Sequence, residues 1–139
     1  MAKIILLGEP RALHRHRTAI FRGKQKQYDP QSKIKMITKN YMLIERQKGG
    51  WPYDGNNGTI GFDLTINYYF YRPPSMRSLS EEELNKIPHI QKPDKDNCEK
   101  YIFDCGNKIL WHDDAEIYRT VSQKFWSKQP RTEIIWVGM

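Results

Sequence analysis

Four aspartates fall in two close pairs. Asp94 and Asp96 stand two residues apart at the mouth of a predicted helix, and Asp113 and Asp114 are adjacent beyond its far end. A helix of about ten residues rises roughly 15 Å. The pairs therefore meet only if the chain after Gly106 folds back along the helix, and residues 107–111 are long enough to do that. Three or four carboxylates brought together with no Arg beside them in sequence repel one another, and a divalent cation offsets that cost. Hard oxygen ligands suit Mg²⁺ or Mn²⁺ rather than zinc. Carboxylate-held Mg²⁺ is how many nucleases and polymerases run in-line phosphoryl displacement. The structural alternative is plain: Asp96 as a helix N-cap and Asp113-Asp114 as an ordinary turn.

Charge points the same way as the acids. The net is +7, unevenly placed. Residues 1–50 carry 12 Lys and Arg against three acids, while residues 51–139 carry 11 against 13. A basic first third beside a mildly acidic remainder is the electrostatic footprint of a polyanion-binding protein. Arg11, Arg15, Arg17, Arg22, Lys24 and Lys26 lie in one non-periodic stretch and are the candidate phosphate contacts. A solvated basic loop is the alternative. His14 and His16 share that stretch and rank as phosphate contacts before metal ligands. His112 neighbours the acids, but Mg²⁺ prefers oxygen.

The elements that must position these residues read as follows. Residues 3–7 form a short strand, and residues 9–27 a long basic loop or ribbon. Asp29 as N-cap and Pro30 at the first helical position open a helix, in which Ile34, Ile37, Tyr41 and Ile44 recur at helical spacing until Gly49-Gly50. From Ile60, strict alternation of Ile60, Phe62, Leu64, Ile66, Tyr68 and Phe70 marks a strand. Ser80 with Glu83 forms a capping box for a short helix over about 81–87. The helix behind Asp94 and Asp96 carries Cys98, Tyr101, Ile102 and Cys105 on one stripe, and Gly106-Asn107 reads as its cap. Residues 116–126 and 132–137 are β-rich, with Gln129-Pro130-Arg131 as a hairpin loop between them. The sum is a single domain over residues 1–139, α+β (mixed α/β), with one sheet of about four strands and two main helices packed on it.

Other classes are excluded. The longest apolar run is Ile4-Ile5-Leu6-Leu7, far short of the roughly 20 residues that cross a bilayer. No basic-then-apolar leader opens the chain, so it reads as cytoplasmic. Cys98 and Cys105 lie about 10 Å apart along one helix, cannot pair there, and are best placed in the core. Trp51, Trp126 and Trp136 read as core or interface. Phe103 lies off the apolar stripe of its helix, where it would stack on an opened base or pack at a subunit interface.

The run Lys92-Pro93-Asp94-Lys95-Asp96-Asn97, then Lys100 and Asp104, then Leu110-Trp111-His112-Asp113-Asp114, resembles the RusA-type Holliday-junction resolvases. The family pattern is K-P-D-x-D-N, a Lys four residues after the second Asp, and W-x-D-D. The likeness is strong over 92–120 and holds in order and character over the N-terminal third. Residues 75–87 look like an insertion. The resemblance implies a Mg²⁺-dependent endodeoxyribonuclease (Mn²⁺ serving in its place) that acts as a homodimer on branched DNA, the four-way junction, in recombination and repair. Many relatives of this kind are encoded by phages or prophages. It makes Asp94, Asp96 and Asp114 the metal-binding acids, with Asp113 a ligand or support. Lys100 falls at the family's functional lysine. It lies one turn along the helix from Asp96, where it meets the scissile phosphate or forms a plain i,i+4 ion pair. Asn97 shapes the loop or caps the helix, and Asp104 orients a basic neighbour or is solvated. The alternatives are a branched-DNA-binding protein without cutting activity and a nuclease acting on flaps or forks.

Overall fold

The computed structural model describes residues 2–14, 17–21, 23–56 and 58–138. In chain order these form β1 (Ala2–Leu7), β2 (Arg17–Phe21), β3 (Lys24–Tyr28), α1 (Ser32–Lys48), β4 (Phe62–Tyr71), α2 (Glu81–Leu84), α3 (Lys95–Gly106), β5 (Ile117–Ser127) and β6 (Arg131–Trp136). The fold is α+β. Its main sheet has the order β1-β6-β4-β5, and β2-β3 form a separate two-stranded ribbon. The pair β4–β5 is parallel and the other pairs of the main sheet are antiparallel.

β4 takes a central place because its alternation is the most apolar in the chain. Phe62, Leu64, Ile66, Tyr68 and Phe70 are all buried, as period-two side chains on one face must be. Register carries that face across the sheet: Ile4 opposes Ile134, which opposes Ile66, which opposes Ser122. α3 lies on this face with Cys98, Tyr101, Ile102 and Cys105 inward, and the Glu99 carboxylate accepts the Ser122 hydroxyl. Burial pushes both thiols up to about 11, so they remain protonated core groups, as their spacing predicts.

Five expectations need correction. β5 and β6 are not a hairpin pair: β4 lies between them, and residues 128–130 cross over it. α1 begins at Ser32, two residues late, because the Asp29 carboxylate accepts the Gln31 amide at 2.9 Å and closes a turn first. The apolar stripe of α1 does not face the core: Ile37, Tyr41 and Ile44 are about half exposed. The helix docks instead through Met42, which is fully buried in the core, and through polar contacts. Buried Lys35 pairs with Asp104 at 2.9 Å and with Asp29. Thr38 Oγ1 and the Tyr101 hydroxyl are 2.9 Å apart, and Arg46 donates to the Ile109 carbonyl at 2.9 Å. α2 ends at Leu84, since the amides of Lys86 and Ile87 bond three rather than four residues back. Its capping box at Ser80 and Glu83 is present. Finally, Gly106 is not a left-handed cap. A Cβ there would lie 2.7 and 2.9 Å from Cε2 and Cη2 of Trp111, so glycine admits the ring.

Candidate active site at the first turn of α3

Asp94 is the N-cap of α3, and Asp96 lies in its first turn. Both are exposed. The Asp94 side chain caps nothing in the helix and accepts from Lys92 Nζ at 2.8 Å. That hydrogen bond and charge hold its carboxyl below the usual range, so it is ionised throughout the neutral region. Lys100 Nζ stands 4.0 Å from Asp96, with both side chains more than 60% exposed. Such a pair contributes only a few tenths of a kcal/mol, which leaves the ammonium unconstrained. Neither carboxylate is consumed by folding.

The segment before α3 is held by a residue that the sequence did not single out. Lys124 of β5 donates to the carbonyls of Gln91 and Pro93, at 2.6 Å each. Its register partner is Tyr68, which places it on the α3 side of the sheet. Burial, set against the nearby Asp94, lowers its pKa. The His89 amide donates to the Lys124 carbonyl at 2.9 Å, so residues 89–93 are tied to β5 at both ends. The one available signal was a lysine at an inward register position of a β-rich run.

Asp113 and Asp114 are positioned from the other end. The Trp111 ring sits beneath Gly106, and its Nε1–H donates to the Phe103 carbonyl (3.3 Å) and Asn107 Oδ1 (3.1 Å). Trp51 Nε1 donates to the Leu110 carbonyl at 2.7 Å. Together with Arg46 on Ile109, these bonds fix 107–111 as a tight turn against the C-terminal end of α3. Glu116 completes it: one carboxylate oxygen accepts the amides of His112 (2.8 Å) and Asp113 (3.4 Å), the other that of Ile60 (3.2 Å). Glu116, like Lys124, is a positioning residue that sequence reasoning missed. Asp113 and Asp114 are exposed.

The chain after Gly106 thus turns at the end of α3 and does not run back along it. β5 then passes α3 in the opposite direction, with Ser122 at Glu99 and Lys124 at Pro93. Twelve helical residues span about 18 Å, and the two acid pairs lie toward opposite ends. Among the described residues, no three His, Cys, Asp or Glu side chains come together to hold a metal ion.

The remaining candidates fall as follows. Arg11 is exposed, and its segment is pinned across the site: Leu13 donates to the Asn97 carbonyl at 2.9 Å, His14 N donates to Gln31 Oε1, and Gln31 Nε2 donates to the Ala12 carbonyl, both at 2.8 Å. The basic stretch therefore starts from the first turn of α3. Lys24 is exposed at the ribbon turn. For Arg17 and Lys26 only the backbone is described, in β2 and β3; Arg15, His16 and Arg22 lie outside the described residues. Phe103, the candidate base-stacking or interface ring, lies in the C-terminal half of α3. It is half-buried and edge-on to Trp111 at 6.1 Å, because the Trp111 turn covers it. Asp104 does orient a basic neighbour, Lys35. His112 Nε2 lies 3.2 Å from Lys108 Nζ. Trp51 and Trp126 are buried, and Trp136 packs partly buried against the same core.

The exposed carboxylates of Asp94 and Asp96 at the start of α3 thus stand beside a basic segment. Residues 8–135 match the family described as Endodeoxyribonuclease RusA, and the chain belongs to that family of DNA endonucleases. It is also 30% identical to the uncharacterized protein YqaN of Bacillus subtilis (strain 168), over 96% of this chain and 93% of that protein. No helix among the described residues is long and apolar enough to cross a membrane.

Proposed function

We propose that this protein is a Mg²⁺-dependent endonuclease that resolves four-way DNA junctions as a homodimer, by paired nicks in opposing strands. The observation that carries the reading is the RusA family match over 8–135, joined to Asp94 and Asp96 standing exposed at the start of α3, paired only with the exposed lysines Lys92 and Lys100. Their donor set of hard carboxylate oxygens fits Mg²⁺ or Mn²⁺. A bound metal would supply an activated water and charge stabilisation at the leaving oxygen. Asp94 and Asp96 would hold it, Asp113 and Asp114 would complete the acid set, and Lys100 would meet charge developing on the phosphate. Arg11 and the basic ribbon would bind the junction arms. The separation of the acid pairs within one chain favours a second copy bringing them together. A two-fold dimer also matches a two-fold substrate. A cytoplasmic location follows from this reading.

Asp96→Asn tests the assignment. Binding of a four-way junction should persist or tighten while cutting is lost, because one repulsive charge is removed. Loss of binding and of the α-helical circular dichroism together would mean that the acid is structural.

A further inference from the structure

Ile90 is the most exposed large apolar side chain among the described residues, at 89%. It stands four residues before Asp94. At about 3.6 Å per extended residue, their Cα atoms lie within about 14 Å of each other, which is about four base steps of about 3.4 Å each. The mount is rigid. Pro88 bridges to Phe125 of β5, and the His89 amide donates to the Lys124 carbonyl at 2.9 Å. The His89 ring is stacked on Phe70 at 3.9 Å and lies 4.4 Å from Trp126. Beyond Ile90, Lys124 Nζ holds the carbonyls of Gln91 and Pro93. Anchors at 88–89 and at 91–93 thus hold the side chain out in water, and its β-branch restricts χ1. We propose that Ile90 is a wedge that enters the base stack at a DNA branch point, beside a cavity that takes the displaced base.

Three observations commit Ile90 to DNA. The chain belongs to a family of DNA endonucleases, and the segment that carries Ile90 runs straight into the acids of α3. Second, exposed Lys92 and Lys95 follow it. Lys92 is paired with Asp94, but an exposed pair is weak, so both ammonium groups serve the phosphates of the same step. Third, a cavity of about 450 Å³ opens beside it, lined by Pro88, His89, Lys95, Gln123, Lys124 and Phe125. The apolar walls of Pro88 and Phe125 suit the face of a base, and the Gln123 amide and Lys95 ammonium suit its polar edge. Apolar side chains, Ile among them, act as wedges between base steps in DNA-bending proteins. Displacing a base costs least where pairing and stacking are already interrupted, as at a branch point and not in continuous duplex. The inference rests on the branched-DNA reading above and adds the residue that tells a branch point from duplex.

The test is a four-way junction carrying 2-aminopurine at successive positions around the crossover, titrated with the full chain without divalent metal, beside continuous duplex. Wild-type protein should bind the junction more tightly than the duplex. At one or more positions the probe should brighten as it leaves the stack, and should be shielded from acrylamide relative to the same probe in a single strand. Ile90→Ala removes three carbons from the contact, so it should bind the junction about tenfold or more weakly, bind duplex as before, and leave the probe dim at saturation. Ile90→Leu should restore both affinity and brightening. At 89% exposure Ile90 supports no core contact, so the circular dichroism of both variants should match wild type. Full brightening with Ile90→Ala, or an equal loss of junction and duplex affinity, would overturn the wedge. A junction bound tightly by wild type with no bright position would overturn it too, while leaving the branched-DNA reading intact. A bright probe as open to acrylamide as in a single strand would overturn the role of the cavity. Wild-type protein that binds the junction no more tightly than duplex would overturn both readings.

Discussion

Gly106→Ala is the sharpest test of how the second acid pair is held. The new methyl would lie 2.7 Å from Cε2 and 2.9 Å from Cη2 of Trp111, and closer still to Cζ2. Real Cβ atoms do not approach rings so closely, and the ring has no room to retreat. Trp111 is fully buried, packed edge-on against Phe62 at 5.9 Å and Phe103 at 6.1 Å, and Phe62 is itself stacked on Trp51. Overpacking of this kind costs about 1–3 kcal/mol. Overlap with three atoms of a fully buried ring puts the cost in the upper part of that range, about 2–3 kcal/mol, and the better helix propensity of Ala returns about 1 kcal/mol, so the net loss should be about 1–2 kcal/mol. For 139 residues, at about 2.1 cal/mol/K each, this lowers Tm by about 3–7 °C. Urea and thermal melts measure it. Trp111→Phe in the same background shrinks the ring and should recover part of the loss, so the double-mutant cycle must show favourable coupling. A Gly106→Ala protein within about 0.5 kcal/mol of wild type, or strictly additive effects, would refute the close-approach argument.

Three further outcomes follow from the same geometry. Lys124→Met removes both hydrogen bonds to the Gln91 and Pro93 carbonyls, so junction cutting should fall about tenfold or more, as expected for a misplaced catalytic group. Junction affinity should stay nearly unchanged and Lys124→Arg should partly rescue the rate; equal loss of both in binding assays would contradict the positioning role. Burial, reinforced by Lys124, lowers the His89 pKa below its ordinary 6.5. The unfolded chain therefore takes up the proton first, so His89 contributes stability above about 6.5 that is lost as pH falls through its folded value. Urea melts between pH 7 and 5.5 should show a decline in the wild type that His89→Phe lacks, and parallel declines would sink the assignment. Junction affinity should fall steeply with salt, log Kd rising linearly with log salt; Arg11→Ala should make the slope shallower, and an unchanged slope would remove Arg11 from the interface.

The local parts of this structure were legible in the sequence. β4 follows from six alternating apolar residues, and the buried stripe of α3 from the spacing of Cys98, Tyr101, Ile102 and Cys105. The capping box at Ser80 needs only two residues three apart. What escaped depends on partners distant in the chain. The stripe of α1 reads as a core face because hydrophobic periodicity cannot reveal that Lys35 will meet Asp104, or that Arg46 will meet the Ile109 carbonyl. The adjacency of β5 and β6 reads as a hairpin because nothing local shows that β4 inserts between them. Gly106 reads as a cap, whereas its reason is the Trp111 ring five residues on. At the site, Asp94 and Asp96 were legible because helix entry is a local signal. Lys124 and Glu116 were not, because they act on carbonyls and amides contributed by other elements. The residue likeness over 92–120 named the family that residues 8–135 match.

The central claim is metal-dependent cutting of branched DNA. The most direct measurement is cleavage of an end-labelled synthetic four-way junction, each strand labelled in turn, with and without Mg²⁺, beside duplex, flap and fork controls. The account predicts Mg²⁺-dependent nicks placed symmetrically in two opposing strands of the junction alone, with ends that ligase seals, and none with Asp96→Asn. Tight junction binding without cutting in Mg²⁺ or Mn²⁺, or equal cutting of the flap and fork controls, would contradict it.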